Sequence, residues 1–283
     1  MLMGMTDPLT LMAVHAHPDD ESSSTGGVLA RYAAEGIRTV LVTCTNGELG
    51  DGPDGVKPGA DGHDRAMVAR TRLAELKAAC GVLDVAHLEL LGYHDSGMPD
   101  WDYKDWPNVF CNVAVDDAAA RLSDLFERYR PDVVVTYDDD GGYNHPDHLH
   151  ANRVTMAALR NTAIPKKAYF TAIRRSDWEG FRQVLEDLGV ELPEMPEPDA
   201  EWIERMDQLE ARVTTTVDVT PFVVRKRKAL GIHASQIEES FFSKLPDEAF
   251  SKMFARESFI RAFDVTGAPV PEDDLFAGLR QNR

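Results

Sequence analysis

The chain has 283 residues, and its 30 basic and 48 acidic side chains give it a formal net charge of −18. Hydrophobic residues make up 43% of the sequence, so the chain can bury a sizeable core and is not disordered. The negative charge argues against nucleic acid and an anionic membrane as partners, because both repel acidic proteins. Three scattered cysteines indicate no disulfide framework. These cysteines, the lack of a secretory signal and the lack of a membrane-spanning run predict a cytoplasmic protein. The charge is consistent with a protein that handles small molecules.

Strand and helix patterns alternate in the first half of the chain. Short apolar and β-branched runs predict four strands, at residues 11–16, 39–44, 87–91 and 132–137. Apolar side chains at helical spacing predict three helices, at residues 22–35, 64–79 and 113–129. Gly36 and Gly81 are expected to end the first two helices, and the Gly-, Asp- and Pro-rich stretch 46–63 is expected to be a loop. The alternation predicts a Rossmann-like α/β fold, with a mostly parallel sheet flanked by helices.

The second half of the chain is less regular. Its patterns predict a strand at 213–219, a basic helix at 221–230 and a final strand at 259–265. Residues 192–199 are acidic and proline-rich, which favours an exposed excursion over a core element. We expect one domain over residues 1–283, in which 165–211 is a variable excursion and 212–283 is a C-terminal extension.

Two short segments carry the residues that are candidates for metal binding and catalysis. The segment HPDDE at 17–21 follows the first predicted strand, and HPDH at 145–148 lies a few residues beyond the fourth. Ligands of open α/β sheets bind beyond the carboxyl ends of the strands, so both segments are expected at one site. Two imidazoles and a carboxylate, with a position left for water, are the usual protein ligands of a catalytic zinc ion. The remaining carboxylates and imidazoles are available as base, acid or orienting groups.

Other interpretations of these segments remain open. Acidic residues often begin a helix because they cap it and favour its dipole, and residues 19–21 fit that purpose too. Two histidines and one carboxylate with open positions also suit iron in an oxygenase, although alternating strands and helices do not resemble the β-barrels associated with that chemistry. A non-catalytic metal- or sugar-binding protein is a third interpretation, but binding alone does not require Asp19 and His145 beyond the ligand set.

The segments HAHPDDE at 15–21 and GGYNHPDH at 141–148 resemble the two zinc motifs of the LmbE-like family, also called the PIG-L or N-acetylglucosaminyl deacetylase family. Further segments resemble this family or its mycothiol branch, namely TNGE at 45–48, RLAEL at 72–76, DSGM at 95–98, HASQ at 233–236 and EDDLF at 272–276. The resemblance runs over nearly the whole chain and is weakest from 165 to 211.

The resemblance implies roles for ten residues of this chain. The implied zinc ligands are His17, Asp20 and His148. The implied catalytic residues are Asp19 as general base, His145 as the cation that stabilises the tetrahedral oxyanion or protonates the leaving amine, Asp147 as the residue that orients His145, and Tyr143 over the substrate carbonyl. The implied substrate-binding residues are Glu48, Arg72 and Asp95. His15, by contrast, is expected to be a packed, hydrogen-bonded residue.

The resemblance also implies a reaction and a substrate class. The reaction is zinc-dependent hydrolysis of an N-acyl, acetamide-type bond on a glucosamine-containing or related small molecule. Amide cleavage of mycothiol S-conjugates is the alternative within the family, and the EDDLF segment favours it. Ser24 favours the deacetylases, because the resemblance implies serine there in the deacetylases and lysine in the conjugate amidases, and serine cannot replace that charge.

Overall fold

A seven-stranded sheet organises the protein in the computed structural model, which describes residues 8–189, 198–238 and 240–280. The strands are β1 (Thr10–His15), β2 (Arg38–Thr45), β3 (His87–Tyr93), β4 (Val133–Thr136), β5 (Lys167–Ala172), β6 (Thr215–Asp218) and β7 (Arg256–Asp264). Their order across the sheet is β3-β2-β1-β4-β5-β7-β6. The first five strands are parallel, and β7 runs antiparallel to both β5 and β6. The predicted α/β fold with a mostly parallel sheet is confirmed.

Helices cover both faces of this sheet. In the described ranges they are α1 (Asp20–Ser24), α2 (Gly26–Ala34), α3 (Arg65–Leu83), α4 (Val115–Tyr129), α5 (Pro146–Thr162), α6 (Arg175–Asp187), α7 (Ala200–Arg212), α8 (Val223–Ile232), α9 (Ala234–Ile237) and α10 (Asp247–Met253). No helix among the described residues is long and apolar enough to cross a membrane.

The strand order places a switch point between β1 and β4. From β1 the chain winds outward to β2 and β3, and it then returns to the other side of β1 as β4. Leu11 and Ala13 of β1 pair with Val133 and Val135 of β4 in parallel register, so the carboxyl ends of both strands open at one edge. Ligands of doubly wound sheets bind in the crevice at such a point.

The buried core lies on both faces of the sheet because alternate side chains of a strand point to opposite sides. On one face, Leu11 and Ala13 pack in a buried cluster with side chains of α2, α3 and α8. On the other face, Met12 and Val14 pack in a second cluster with side chains of α4 and α5. Burial of both faces explains why the parallel strands are continuous apolar runs rather than alternating ones.

Two helix predictions need correction. The helix predicted at 22–35 is divided at Thr25 into α1 and α2, because the first backbone amides of α2, at Gly27 and Val28, bond to the Glu257 carboxylate at 2.8 and 2.9 Å. Gly81 does not end α3, which continues to Leu83. The end falls at Asp84, which adopts a left-handed conformation with φ of 57°.

The second half contains elements that the sequence patterns did not reveal. The strand β5 lies between β4 and β7, so residues 167–172 of the predicted excursion belong to the sheet, and α6 and α7 follow them. The other predicted elements are found with shifted ends, as β6, α8 and β7. Most of the proline-rich stretch 192–199 lies outside the described residues. The single-domain organisation stays a prediction.

Buried ion pairs attach the C-terminal segment to the sheet. Glu272 accepts hydrogen bonds from Lys167 at 2.5 Å, Tyr169 at 2.8 Å and Arg261 at 3.0 Å. Glu257 of β7 is held in the same way, because its carboxylate accepts from Lys226 of α8 at 2.7 Å as well as from the start of α2. A buried carboxylate is tolerated only when it is paired and hydrogen-bonded, so these contacts fix the register of the last strand and segment.

We expect Lys226→Met to destabilise the protein by about 3–5 kcal/mol, because it leaves the Glu257 carboxylate buried without its cation. The free energy of unfolding in urea measures this. Lys252→Met is the matched control, since Lys252 and Glu248 form an exposed pair and such pairs contribute about 0–1 kcal/mol. Equal losses in the two variants would contradict a stabilising role for the buried pair.

Candidate metal centre and catalytic site

Three histidines meet at the switch point. His17 lies just beyond β1, while His145 and His148 lie at the start of α5, which follows the loop after β4. All three are buried, and their ring nitrogens lie within 4.8 Å of one another. Pro146 at the first position of α5 is pre-organised for a helix start, which sets the direction of the two histidines around it. The two sequence segments, 128 residues apart, therefore form one cluster.

The donor atoms of His17, His148 and Asp20 have the spacing of a metal site. His17 Nδ1 lies 3.3 Å from His148 Nε2 and 3.4 Å from Asp20 Oδ2, and His148 Nε2 lies 3.6 Å from Asp20 Oδ1. Ligands about 2.0–2.1 Å from a tetrahedral zinc ion are about 3.3 Å apart, which is close to these separations, with a different Asp20 oxygen nearest to each histidine. His145 belongs to the same cluster and is the competing third ligand.

The remaining nitrogens of the two histidines are held by acceptors. His17 Nε2 donates to Asp147 Oδ2 at 3.2 Å, and His148 Nδ1 donates to the Gly141 carbonyl at 3.0 Å. These bonds leave His17 Nδ1 and His148 Nε2 for a metal, which is the usual arrangement behind ligating imidazoles. Gly141 is required for the close approach, because its φ is 63° and a Cβ there would lie 2.9 Å from the His148 Cβ.

The Asp147 carboxylate contacts a different histidine from the one expected. The resemblance implied that Asp147 orients His145, but its carboxylate bonds to His17 and to Ser96, whose backbone amide and hydroxyl donate at 2.9 and 2.5 Å. Only the backbone amide of Asp147 contacts His145, donating to Nδ1 at 3.2 Å. In the neutral imidazole this bond places the ring proton on Nε2, so His145 has a hydrogen-bond donor to offer.

Asp20 is held by two donors outside the cluster. The backbone amide of His17 donates to Asp20 Oδ2 at 2.8 Å, and the Tyr137 hydroxyl donates to the same oxygen at 2.6 Å. The Tyr137 hydroxyl in turn accepts from the Ala16 amide at 2.7 Å, and its ring stacks on His148 with the centroids 4.0 Å apart. Tyr137 thus positions two of the three predicted ligands.

Asp19 has a strained backbone conformation. Its φ is 114°, a conformation that costs a non-glycine residue about 1–3 kcal/mol. A hydrogen bond from the Asp19 amide to Glu21 Oε2, 2.9 Å long, stabilises this conformation. The other oxygen of that carboxylate, Glu21 Oε1, lies 2.7 Å from His233 Nε2. Burial raises the pKa of Asp19 to about 6, although Arg72 opposes that shift.

The predicted substrate-binding residues lie around this centre in different ways. Asp95 Oδ1 is 3.7 Å from His17 Nε2, and Glu48 pairs with His94 at 2.5 Å. Arg72 is buried, and its two terminal nitrogens donate to the carbonyls of Gly47 and Pro18 and to Asp19 Oδ2, at 2.7, 2.6 and 2.9 Å. These bonds engage both terminal nitrogens within the protein, which makes Arg72 a positioning residue for Asp19 in this structure.

Tyr143 lies at the mouth of the site. Its ring is about half exposed, and its centroid is 5.0 Å from that of His148 and 5.8 Å from that of His145. The loop that carries Tyr143 is anchored by Asp138, which accepts two hydrogen bonds of 2.9 Å from Arg212 of α7. The buried histidines thus lie beneath a partly exposed aromatic ring.

Carboxylates dominate the electrostatics of the cluster. Burial lowers the pKa of His17, but Asp95, Asp147 and Asp20 outweigh it and raise that pKa well above its usual value. Burial, together with the neighbouring His17 and His148, lowers the pKa of His145 to about 3, so this imidazole is neutral rather than the cation that the resemblance implied. The centre therefore favours a cation beside His17 and keeps His145 neutral.

Sequence reasoning missed several residues that support the site. They are Tyr137, Ser96, Glu21, His233, Asp138 and Arg212. Tyr137 and Ser96 stand inside segments that the sequence singled out, so their positions at a strand end and beside Asp95 were available signals. The Arg212 contact had no signal, because it joins α7 to a loop 74 residues away. His15 was correctly predicted to be packed and hydrogen-bonded, since its Nε2 bonds to Thr25 at 2.9 Å.

A buried cluster of histidines and carboxylates at the switch point of an open α/β sheet defines a metal-dependent hydrolase. The family model described as GlcNAc-PI de-N-acetylase, PIG-L, matches residues 12–159, and the chain belongs to this family. The chain is 39% identical over 282 residues to the 1D-myo-inositol 2-acetamido-2-deoxy-alpha-D-glucopyranoside deacetylase of Acidothermus cellulolyticus, covering 95% of each protein. It is 36% identical over 299 residues to the mycothiol S-conjugate amidase of Streptomyces coelicolor, covering 98% of this chain and 100% of the relative.

The fold is also found in a solved structure of low sequence identity. The N,N'-diacetylchitobiose deacetylase from Pyrococcus horikoshii superposes with a TM-score of 0.57 at 18% identity, over 90% of this chain and 84% of that one. At this identity the superposition establishes the shared architecture. The family membership confirms the resemblance that the sequence motifs indicated.

We expect Tyr137→Phe to weaken divalent metal binding by about 10–100-fold while the protein stays folded, because Asp20 loses the hydroxyl that holds it. A competitive chelator titration with zinc measures the affinity, and the wild type should bind about one ion per chain. Tyr129→Phe is the matched control, since its hydroxyl bonds to Glu89 away from the site. Unchanged affinity in Tyr137→Phe would show that Asp20 is not a ligand.

Proposed function

We propose that this protein is a zinc-dependent deacetylase that hydrolyses the N-acetyl amide of a glucosamine-containing small molecule. The observation that carries the proposal is the convergence of His17, His148 and Asp20: His17 Nδ1 lies 3.3 Å from His148 Nε2, and one Asp20 oxygen lies 3.4 Å and the other 3.6 Å from these two nitrogens, with Asp19 next along the chain. Zinc bound by such a set polarises a carbonyl oxygen and lowers the pKa of water to about 7. Scattered cysteines leave nitrogen and oxygen donors as the available ligands, which also suit zinc.

The chain's own residues divide the proton transfers between them. Asp19 is the general base, and Arg72 holds one of its oxygens while about a quarter of the side chain remains exposed toward the site. A carboxyl group with a pKa near 6 can accept a proton from water at neutral pH. His145 donates its Nε2 proton in a hydrogen bond to the developing oxyanion, and Tyr143 confines the acyl group from above.

The substrate class follows from the family and from the charge of the site. As the C–N bond breaks, the proton that Asp19 took from water passes to the amine nitrogen, so the products are acetate and an amine that becomes an ammonium ion, which a carboxylate-rich site favours. The deacetylase relative is named for an acetamido-sugar substrate, and the amidase relative for a mycothiol S-conjugate. Glu48 and Asp95 lie at the rim of the cluster and are proposed as acceptors for sugar hydroxyls.

We expect Asp19→Asn to lower kcat by about 100-fold or more, because asparagine removes the base yet tolerates the left-handed backbone at this position. Steady-state kinetics on an N-acetylglucosaminyl substrate, together with elemental analysis, measure the effect. Zinc content should equal that of the wild type, and the surface variant Asp116→Asn should match the wild type in both. Near-normal turnover would show that Asp19 is not the base, and loss of zinc would make it a ligand.

We expect the enzyme to prefer N-acetylglucosaminyl-inositol over a mycothiol S-conjugate. Ser24, which lies in α1 directly behind the ligand segment, offers a hydroxyl and no positive charge to a bulky conjugate. Side-by-side kcat/KM values for the two compounds measure the preference. A higher value for the conjugate would refute the choice of deacetylase and favour the amidase, with the same metal centre. Hydrolysis of neither compound would overturn the proposed substrate class.

A further inference from the structure

The C-terminal segment His233–Gln236 is hydrogen-bonded to three parts of the chain that hold Asp19. His233 follows α8, and the next three residues lie in the short helix α9. The hydrogen bonds of the segment reach α1, α3 and the loop after β2. The mechanism proposed above uses none of the four residues, although His233 is completely buried. Their contacts indicate what the segment does.

His233 is connected to Asp19 through one carboxylate. Its Nε2 lies 2.7 Å from Glu21 Oε1, and the other oxygen, Glu21 Oε2, accepts from the Asp19 amide at 2.9 Å. The side chains of His233 and Glu21 are completely buried. His233 Nδ1 has no hydrogen-bond partner among the described residues, so the bond to Glu21 is the one that orients the ring. The strained backbone of Asp19, with φ of 114°, therefore depends on a carboxylate that His233 holds.

Ser235 holds the helix that carries Arg72. The amide and the hydroxyl of Ser235 donate to the Glu75 carboxylate at 2.9 and 2.6 Å. Glu75 lies one helical turn after Arg72 on α3, so the two side chains lie on the same side of that helix. Arg72 in turn donates to Asp19 Oδ2 at 2.9 Å. Ser235 thus helps to position the group that holds the Asp19 carboxylate.

Gln236 holds the loop that Arg72 also contacts. Its side chain accepts from the Asp51 amide at 3.0 Å and donates to the Asp51 carbonyl at 3.1 Å. In the same loop, the Gly47 carbonyl accepts from Arg72 at 2.7 Å. The contacts of His233, Ser235 and Gln236 therefore converge on the amide and the carboxylate of one residue, Asp19.

We propose that His233 is a positioning residue for the general base and that it acts through Glu21 on the backbone of Asp19. The proposal rests on the proposed function, and it adds a residue from the C-terminal part of the chain. Without His233, Glu21 Oε1 keeps only the Ser22 hydroxyl as a partner among the described residues. The carboxylate of Glu21 then turns, the Asp19 amide loses its acceptor, and the strained backbone relaxes. Asp19 is thereby displaced from the water that it deprotonates.

The test compares variants that remove the bond to Glu21 with one that keeps it. His233→Leu should lower kcat on N-acetylglucosaminyl-inositol by about 10–100-fold, because displacing a reacting group by about 1 Å costs up to about 100-fold. KM and zinc content should stay at their wild-type values. His233→Gln should restore most of the loss, because the glutamine amide can donate from near the position of the histidine Nε2. His233→Asn, whose amide is too short to reach Glu21, gives the same comparison if leucine prevents folding.

Tyr169→Phe is the matched control for stability. It also removes one donor from a buried carboxylate, Glu272, but that pair joins β5 to the C-terminal segment. Its kcat should equal that of the wild type at a similar loss in the free energy of unfolding. A loss of kcat in Tyr169→Phe as large as in His233→Leu, or no recovery in His233→Gln, would overturn the positioning role.

A double variant and a structure separate this proposal from the proposed function. If His233 acts through Asp19, adding His233→Leu to Asp19→Asn should lower kcat no further, and a further loss as large as in the wild type would overturn the proposal. A crystal structure of metal-free His233→Leu should show Asp19 without its φ of 114° and without its bond to Glu21. An unchanged Asp19 would overturn the positioning role alone. A displaced Asp19, with near-normal turnover of Asp19→Asn, would instead overturn the proposed general base and support the link from His233 to Asp19.

Discussion

Buried negative charge at the carboxyl ends of β1 and β4 is the constraint on which the rest of the structure depends. The carboxylates of Asp20, Asp95 and Asp147 surround His17, 3.4, 3.7 and 3.2 Å from its ring nitrogens, and a positive charge among them offsets their mutual repulsion. A proton on His17 meets this need in part, which is why the pKa of that imidazole is raised. A divalent metal held by the proposed ligands His17, Asp20 and His148 would add further positive charge beside these carboxylates.

The surrounding network keeps each group in one orientation. Asp147 and Gly141 hold one ring nitrogen each of His17 and His148, and Tyr137 holds Asp20. Contacts of this kind fix tautomer and direction, so the proposed ligands are held in place. The strained backbone of Asp19 belongs to the same network, because Glu21 accepts from its amide and Arg72 donates to its carboxylate.

The C-terminal residues complete the site from a distance. His233 lies behind Glu21, which holds the amide of Asp19, and Ser235 bonds to Glu75 of α3, the helix that also carries Arg72. The last strand and α8 are joined to the start of α2 through Glu257. The final quarter of the chain therefore supports the catalytic segment at 17–21 as well as extending the sheet.

The sequence by itself determined the parallel α/β fold and the two segments that form the metal centre. Hydrophobic periodicity and composition are local properties of a sequence. Buried strands are therefore recognisable as apolar runs, and the ligand-bearing segments as the polar residues that follow them. It did not reveal β5, which is a partly polar strand whose neighbours β4 and β7 define it. Only the tertiary structure decided that Asp147 serves His17, that Arg72 holds Asp19 and that His233 holds Glu21. Those contacts depend on which side chains the fold brings together from distant parts of the sequence, and no local sequence pattern encodes them.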